Sequence, residues 1–320
     1  MAAKKKRSSR PSVKTATKRS AAANRSAAER AAPLPPRRSC GTMANHMRLL
    51  ETNPSFRAKL FRLEQQTATY RATAMRTGAL AVARIKVVVN VVYNDPSQNI
   101  SDAQIKSQIT ALNKDFRSTN TDRSKTPTAF KGLVSDPRIR FVLSRITRTK
   151  TSKLSFADDN GVKKAATGGI APVDTAKFLN IWTCALGGGL LGYAQFPGGP
   201  AATDGVVIHY RAFGTNGTAE GPYNKGRSAT HEIGHYFNLR HIWGDTPDCS
   251  GSDMVADTPN AAGPNYGKPT FPIVTCNNGP NGDMFMNYMD YVDDDAMFMF
   301  TSQQVARMRA TLDGPRRSLW

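Results

Sequence analysis

The segment His231–His241, HEIGHYFNLRH, constrains this chain more than any other feature of its sequence. It holds three of the five histidines and a glutamate. His231 and His235 are four residues apart, so a helix places both imidazoles on one face. Glu232 follows the first histidine directly, where its carboxylate could reach a water molecule bound to a metal. A His-Glu-x-x-His pattern on a helix is typical of zinc hydrolases.

The third histidine of the segment restricts the geometry further. On a straight helix, His241 would lie about 15 Å along the axis from His231 and would point away from it. It can join the other two imidazoles only if the helix ends and the chain turns back. Asn238 stands where this turn is needed, and asparagine tolerates the left-handed conformation found at helix C-termini. The spacing therefore predicts a helix, a left-handed turn and a third zinc ligand. The alternative is a chance match on an amphipathic helix.

These residues resemble the long zinc motif of the metzincin metalloproteases, H-E-x-x-H-x-x-G-x-x-H, with Asn238 in place of the glycine. Downstream, NYMDY at 287–291 resembles the Met-turn of that clan, with Met289 as its methionine. The text at 253–259 and at 299–308 is similar to the pappalysin family, close to its ulilysin-like members. The chain is therefore identified by resemblance as a pappalysin-type metzincin.

The resemblance implies an α+β fold. It is a metzincin-type catalytic domain, with a mixed twisted sheet over the zinc-binding helix, a loop-rich lower half and a C-terminal helix. The sequence pattern agrees with this order. Runs of β-branched and apolar residues predict strands at 85–93, 139–143, 178–186 and 205–210. The glycine-rich stretch before the last of these predicts an edge strand that could align an extended substrate. Capping boxes begin helices at Ser101–Gln104 and Thr301–Gln304.

The net charge of +20 is concentrated near the N-terminus. Residues 1–39 carry a net charge of +11 and residues 40–86 carry +6, which leaves +3 for the remainder. Residues 1–39 are too polar to fold alone and are predicted to form a disordered basic tail. Residues 40–84 show helical spacing and are predicted to be a helical pro-segment. Residues 85–320 are then the zinc metalloprotease catalytic domain.

The KKKR run at 4–7 leaves an alternative function open. It is a basic-tailed nucleic-acid-binding protein whose metal-bound fold is not catalytic. Because the basic charge lies outside the catalytic region, we expect protein or peptide substrates and no nucleic-acid partner. The N-terminus lacks the apolar segment of an ordinary secretory signal. No apolar run reaches ~18 residues, so no membrane span is expected. We expect a monomer.

The four cysteines divide into three groups. The resemblance implies a disulfide between Cys249 and Cys276, and hence an oxidising compartment and a secreted or extracytoplasmic protein. Cys184 lies in an apolar run and is expected to be a buried free thiol. Cys40, in RRSCGT, resembles the cysteine of metzincin proenzymes, whose thiolate takes the fourth zinc position. The alternatives for Cys40 are a disulfide with Cys184 or an unused thiol.

Three neutral imidazoles leave one tetrahedral zinc position open, which is typical of a catalytic site. Glu232 would act as general base on a zinc-bound water and pass the proton to the leaving amine. The resemblance implies that Tyr291 donates a hydrogen bond to the oxyanion, the alternative being a packed aromatic. It also makes Met289 a hydrophobic floor beneath the zinc. We therefore expect a zinc-dependent endopeptidase made as a zymogen. A hydrolase of non-peptide amides is a further alternative.

Two groups of aspartates carry further expectations. DMVADT resembles a structural calcium loop of the ulilysin-like enzymes, with Asp253 and Thr258 as side-chain ligands. In the acidic run that follows the Met-turn, the resemblance selects Asp295 for the wall of the pocket that receives the residue after the scissile bond (P1′), favouring Arg or Lys. Turn capping is the alternative in both places. Such a preference would permit autoactivation at 70–84.

Overall fold

The structure is a computed structural model that describes residues 1, 34–74 and 81–320. Residues 34–320 form one compact unit. Most of the predicted tail, and residues 75–80 of the predicted pro-segment, lie outside the described residues. Among the helices of the described residues, none combines the length and the apolar character needed to cross a membrane.

A five-stranded sheet in the order β2-β1-β3-β5-β4 forms the centre of this unit. Its strands are β1 (Ala83–Tyr93), β2 (Ile139–Lys150), β3 (Leu179–Cys184), β4 (Gly192–Ala194) and β5 (Val206–His209). The strands β2, β1, β3 and β5 are parallel to one another, and β4 runs antiparallel to β5 at the edge. Most of β1 is buried, as expected for a valine-rich strand in the middle of a parallel sheet. The mixed sheet is the one predicted from the sequence.

Helices cover the sheet and complete the domain. The described α-helices are α1 (Thr42–Thr52), α2 (Pro54–Ala74), α3 (Asp102–Asp115), α4 (Thr128–Lys131), α5 (Arg227–Tyr236) and α6 (Ser302–Asp313). The motif helix α5 contacts α3, β4 and β5, while α2 packs on the C-terminal helix α6. A short parallel pair, β6 (Tyr266–Gly267) and β7 (Tyr291–Val292), lies in the loop-rich lower half.

The predicted boundaries need two corrections. The first strand begins at Ala83, so the expected division between residues 84 and 85 falls inside β1. Ala83 already donates its backbone N–H to Arg138, at 2.9 Å, so it belongs to the sheet. The predicted tail also ends too late. Arg38 lies within its last residues and is buried in the domain, because its guanidinium has found a carboxylate partner there.

One of the two predicted capping boxes is complete. Thr301 accepts from the backbone of Gln304, and the side chain of Gln304 accepts from the backbone of Thr301. At the other helix, Ser101 accepts from the backbone of Gln104 at 3.1 Å. The side chain of Gln104 instead donates to the carbonyl of Phe213 at 2.8 Å. It thereby ties α3 to the loop that follows β5, a long-range contact that a local motif cannot reveal.

Candidate active site

The three motif histidines converge on one point. Their Nε2 atoms form a triangle with sides of 3.1–3.2 Å. Zinc–nitrogen bonds of ~2.0–2.1 Å in tetrahedral geometry keep the ligand nitrogens about 3.3 Å apart. The triangle therefore fits three ligands of one zinc ion.

The other ring nitrogen of each histidine is engaged by a protein oxygen. The contacts are His231 Nδ1 with the Tyr288 carbonyl at 2.7 Å, His235 Nδ1 with the Leu239 carbonyl at 2.8 Å, and His241 Nδ1 with Asp245 Oδ1 at 2.5 Å. Carbonyl and carboxylate oxygens only accept, so each Nδ1 carries the proton and each Nε2 has a free lone pair. Burial and the neighbouring imidazoles hold the pKa values of His231 and His235 well below the usual range. Three lone pairs facing one another require a cation.

The turn that brings the third histidine back is the one that the spacing predicts. The helix ends at Tyr236, and Asn238 has a left-handed φ of 73°. Leu239 donates its backbone N–H to the Gly234 carbonyl at 2.9 Å, which closes the end of the helix. Arg307 of α6 donates to the Asn238 carbonyl at 2.6 Å and fixes the turn from outside.

Two glycines permit close packing around the site, and the sequence reasoning missed both. A Cβ at Gly234 would lie 2.4 Å from the sulfur of Met289, so the methionine packs directly on the motif helix. A Cβ at Gly192 on β4 would lie 2.8 Å from Cγ of Glu232. The side chains of Met289 and Glu232 are both buried. Glycine at these positions sets how closely the Met-turn and the edge strand approach the helix.

Glu232 is buried beside the histidines and is held by two residues from near the N-terminus. Its Oε2 accepts from the Thr42 hydroxyl at 2.7 Å and lies 3.3 Å from the Cys40 sulfur. Burial raises the pKa of Glu232 to about 7. Thr42 was not expected from the sequence. Thr42 is the first residue of helix α1, and its contact with Glu232 joins residues far apart in the chain, so no local pattern indicated it.

Cys40 lies with the three histidines in one group, whose ligand atoms are all within 4.8 Å of one another. The segment around it pairs with the edge strand. Leu191 donates to the Ser39 carbonyl at 3.0 Å, and Gly41 donates to the Gly192 carbonyl at 2.9 Å. Burial, then the Glu232 charge, raise the pKa of the thiol in the absence of a metal. The segment thus forms a single parallel β-bridge with the edge strand and turns its cysteine inward.

Arg38, two residues before Cys40 in the same segment, enters a closed acidic pocket. Its Nη2 lies 2.6 Å from Asp294 Oδ1, and the two side chains are 2% and 1% exposed. Nη1 donates to the Ser228 hydroxyl at 3.0 Å and Nε donates to the Val292 carbonyl at 3.1 Å. The guanidinium also lies over the Tyr223 ring, 5.1 Å from its centre. Every polar group of the arginine therefore has a partner, and the sequence reasoning had missed this pocket.

The sequence predicts Asp295 for a pocket that receives a basic side chain. In the structure the carboxylate that pairs with Arg38 is that of its neighbour, Asp294. Asp295 pairs with Lys268 at 2.8 Å in a partly exposed position. Asp294 is fully buried and accepts from the backbone N–H groups of Lys225, at 2.7 Å, and Arg227, at 3.2 Å. The carboxylate that holds Arg38 is therefore that of Asp294, and the assignment of Asp295 to a substrate pocket stays a prediction.

Aromatic rings line the other side of the histidines. The Tyr291 ring is 4.9 Å from His241 and 5.6 Å from His231, and its hydroxyl interacts with the backbone of Cys40. Trp243, which was not expected, stacks on His241 with ring centres 4.4 Å apart. Burial raises the pKa of Tyr291, so its hydroxyl keeps its proton and can act as a donor.

The remaining predicted residues lie outside the histidine group. Cys249 and Cys276 form the predicted disulfide, with Cα atoms 5.7 Å apart. Cys184 is a buried free thiol. Asp253 is buried and accepts from the Thr258 hydroxyl at 2.7 Å. Burial raises the pKa of Asp253 to about 6.

The hydrogen bond from His241 to Asp245 generates a prediction about zinc affinity. Replacing Asp245 by Asn removes the charge that orients the imidazole, and loss of such a partner typically weakens metal binding ~10-fold or more. Asn also tolerates the left-handed φ of 61° at this position. A competition titration of the Asp245→Asn protein against a zinc chelator should show this loss. The matched control is Asp248→Asn, a nearby exposed aspartate. Equal affinities of both variants would contradict the prediction.

The sequence and structure were compared with known proteins. The family described as pregnancy-associated plasma protein-A, peptidase M43, matches residues 172–313. An extracellular metalloprotease of Arthroderma benhamiae is 32% identical over 70% of this chain and 75% of its own length. An extracellular metalloprotease of Pyricularia oryzae is 32% identical over 77% of this chain and 79% of its own length.

Two solved structures from Tannerella forsythia have the same fold. Mature mirolysin, in complex with a cleaved peptide, is 51% identical with a TM-score of 0.74, covering 75% of this chain and 96% of the other. A promirolysin mutant is 46% identical with a TM-score of 0.81, covering 88% of this chain and 97% of the other. The chain therefore belongs to the pappalysin family of metzincins and is a metallopeptidase.

Proposed function

We propose that the chain is a secreted zinc endopeptidase made as a zymogen, which cleaves proteins before basic residues. One observation carries the proposal. Arg38 and Cys40, together with Thr42 at the start of helix α1, meet the Asp294 pocket, the histidine triangle and Glu232. Because one segment contacts the pocket, the histidines and Glu232, removal of that segment would make all three accessible to a substrate.

The chemistry assigned to the site needs a metal and a base. The three Nε2 atoms would hold zinc, which when bound would supply Lewis-acid polarisation of a carbonyl and of a water molecule. Glu232 is the general base. Its Oε2, which accepts from the Thr42 hydroxyl at 2.7 Å, would accept instead from the attacking water. The glutamate would take the water's proton and transfer it to the leaving amine.

Tyr291 is the proposed donor to the oxyanion. Its hydroxyl oxygen is within hydrogen-bond reach of the backbone N–H of Cys40, the residue whose side chain faces the histidines. With that segment gone, the protonated hydroxyl would donate to a substrate carbonyl in the same place as negative charge develops on the carbonyl oxygen. Met289 supports this arrangement as a buried floor against the motif helix, since its sulfur lies where a side chain at Gly234 would be.

Latency is proposed to depend on residues 40–84, together with the short segment that begins at Leu34. The thiolate of Cys40 would occupy the fourth zinc position and exclude water. Further along, Glu64 of α2 forms an ion pair with Arg307, which fastens the helix to the domain. The proenzyme comparison supports this division. The aligned share of this chain rises from 75% for mature mirolysin to 88% for promirolysin, a difference about as long as the segment 40–84.

The proposed P1′ pocket is the one that Arg38 fills. A buried carboxylate with only backbone N–H donors and one guanidinium as partners favours a cationic side chain, because removal of that cation leaves the charge uncompensated. A substrate Arg or Lys would take its place. In this proposal Asp294 has the role that the sequence assigned to Asp295.

Secretion and calcium complete the proposal. Secretion is supported by relatives named extracellular metalloproteases and by the Cys249–Cys276 disulfide. For calcium, the support is the buried carboxylate of Asp253 next to the Thr258 hydroxyl, two oxygen ligands of the kind that calcium takes. The alternative of a nucleic-acid-binding protein is not favoured, since the compared relatives are named metalloproteases.

The role of Glu232 is tested by replacing it with Ala in the mature protein. Cleavage of a peptide library should fall by ~10²–10⁴-fold, because the proton-transfer group is lost. Zinc content should stay at the wild-type level, because the glutamate is not a ligand. The control is Glu220→Ala, which removes a surface glutamate paired with Arg211. Cleavage within tenfold of wild type would sink the assignment.

The role of Cys40 is tested by following maturation. Replacing Cys40 by Ala removes the proposed fourth ligand, so the full chain should mature faster than wild type in a time course followed by electrophoresis. Cys184→Ala is the control, because that thiol is buried in the core away from the histidines. Identical maturation rates for wild type and Cys40→Ala would discard the proposed latency mechanism.

The P1′ pocket is tested with a pair of adjacent substitutions. Asp294→Asn removes the charge that faces the basic side chain, and hydrogen bonds to charged groups contribute about 1.5–3 kcal/mol. The kcat/KM for peptides with Arg at P1′ should therefore fall ~10–100-fold relative to peptides with an uncharged residue there. Asp295→Asn should leave the ratio near the wild-type value. If Asp295→Asn lowered the ratio and Asp294→Asn did not, the pocket would be assigned to Asp295 instead.

A further inference from the structure

A second arginine of the same segment meets a second feature of the domain. The guanidinium of Arg37 lies over the Tyr266 ring, 5.0 Å from its centre. Arg37 is exposed, whereas Arg38 is buried. The two consecutive arginines therefore bind at two adjacent sites of different chemistry. Arg38 fills a closed carboxylate pocket, and Arg37 lies on an open aromatic face.

The aromatic face is fixed to the wall of the carboxylate pocket. Tyr266 pairs with Tyr291 in the β6–β7 ladder, and Asp293 donates its backbone N–H to the Gly267 carbonyl at 2.9 Å. The preceding residue, Asn265, donates to the buried Asp290 through both its backbone and its side chain, at 2.8 and 3.0 Å. The ring is thus held against the segment that carries Val292 and Asp294, both partners of Arg38.

The order of these contacts outward from the histidines also applies to a substrate. Cys40 faces the histidines, Arg38 fills the pocket, and Arg37 lies one residue further out, over the Tyr266 ring. An extended peptide alternates its side chains between its two faces. If its P1′ residue enters the Asp294 pocket, its next residue (P2′) leaves the pocket on the side of Tyr266. Outward from the histidines, the N-terminal segment runs toward its N-terminus, whereas a substrate runs from P1′ toward its C-terminus. The order of the two binding places is the same in both directions.

Charge in this region favours a cation at both places. Asp293 and Asp294 lie on the segment against which Tyr266 packs, and the charge of Asp295 is already paired with Lys268. An arginine over a tyrosine ring is attracted by the electron-rich face of the ring. The neighbouring carboxylates add attraction of the same sign.

We propose that Tyr266 is a second specificity-determining residue and that the enzyme prefers two consecutive basic residues after the scissile bond. The first would bind Asp294 and the second would lie over the Tyr266 ring. This inference rests on the proposed P1′ pocket and extends it by one position. Because the second place is open to solvent, its contribution is expected to be modest, about two- to fivefold in kcat/KM.

The test uses mature enzyme and four quenched fluorescent peptides that are otherwise identical. Each carries arginine or citrulline at P1′, combined with arginine or citrulline at P2′. Citrulline keeps the shape of arginine without its charge. With arginine at P1′, the peptide with arginine at P2′ should be cleaved with a kcat/KM about two- to fivefold higher than its citrulline partner. Equal values in the wild-type enzyme would overturn the inference, and this comparison requires no variant.

Two variants assign the effect to the ring. Tyr266→Phe keeps the aromatic face and should keep the P2′ preference, whereas Tyr266→Leu should abolish it and leave the P1′ preference intact. A preference that persists in Tyr266→Leu would also overturn the inference. The two proposals fail separately. Loss of discrimination at P1′ alone counts against the Asp294 pocket, and loss at P2′ alone counts against Tyr266.

Discussion

Three imidazole lone pairs directed at one point are the constraint on which the rest of this structure depends. At 3.1–3.2 Å the Nε2 atoms would repel one another without a cation between them. To aim them there, each ring must be fixed by an acceptor at Nδ1, and the motif helix must end where Asn238 turns the chain. The close approach of the Met-turn at Gly234 follows from the same requirement. The domain is built to hold a metal ligand set in a buried place.

The N-terminal segment contacts the same histidines and the polar groups around them. Its side chains contact the histidine group, Glu232 and Asp294, and its backbone pairs with the edge strand, where an extended peptide would bind. Buried charges without partners destabilise a fold, so a segment that supplies those partners gains binding energy from the catalytic apparatus itself. Under this proposal the features that recognise a substrate are also those that hold the enzyme inactive.

The sequence predicted the local part of this arrangement well. The spacing of the histidines, the turn at Asn238, the edge strand and the C-terminal capping box all follow from short-range rules and are present in the structure. The disulfide and the Met-turn came from resemblance. The parts that were missed depend on contacts between distant residues. Nothing in three consecutive aspartates indicates that Asp294 faces inward and Asp295 outward, because an irregular segment has no periodicity from which to infer it.

The position of β1 limits where the zymogen can be cut. A protease binds the chain that it cleaves in an extended form, so the bond must be free of other pairing partners. From Ala83 onward the chain pairs with β2, and from Val87 onward it also pairs with β3 on its other side. Cleavage before Arg84, at the end of the predicted activation region, would require the start of this strand to separate from β2. Under the proposed zymogen mechanism, the cut would therefore precede the strand, and the sheet would define the latest N-terminus of the mature enzyme.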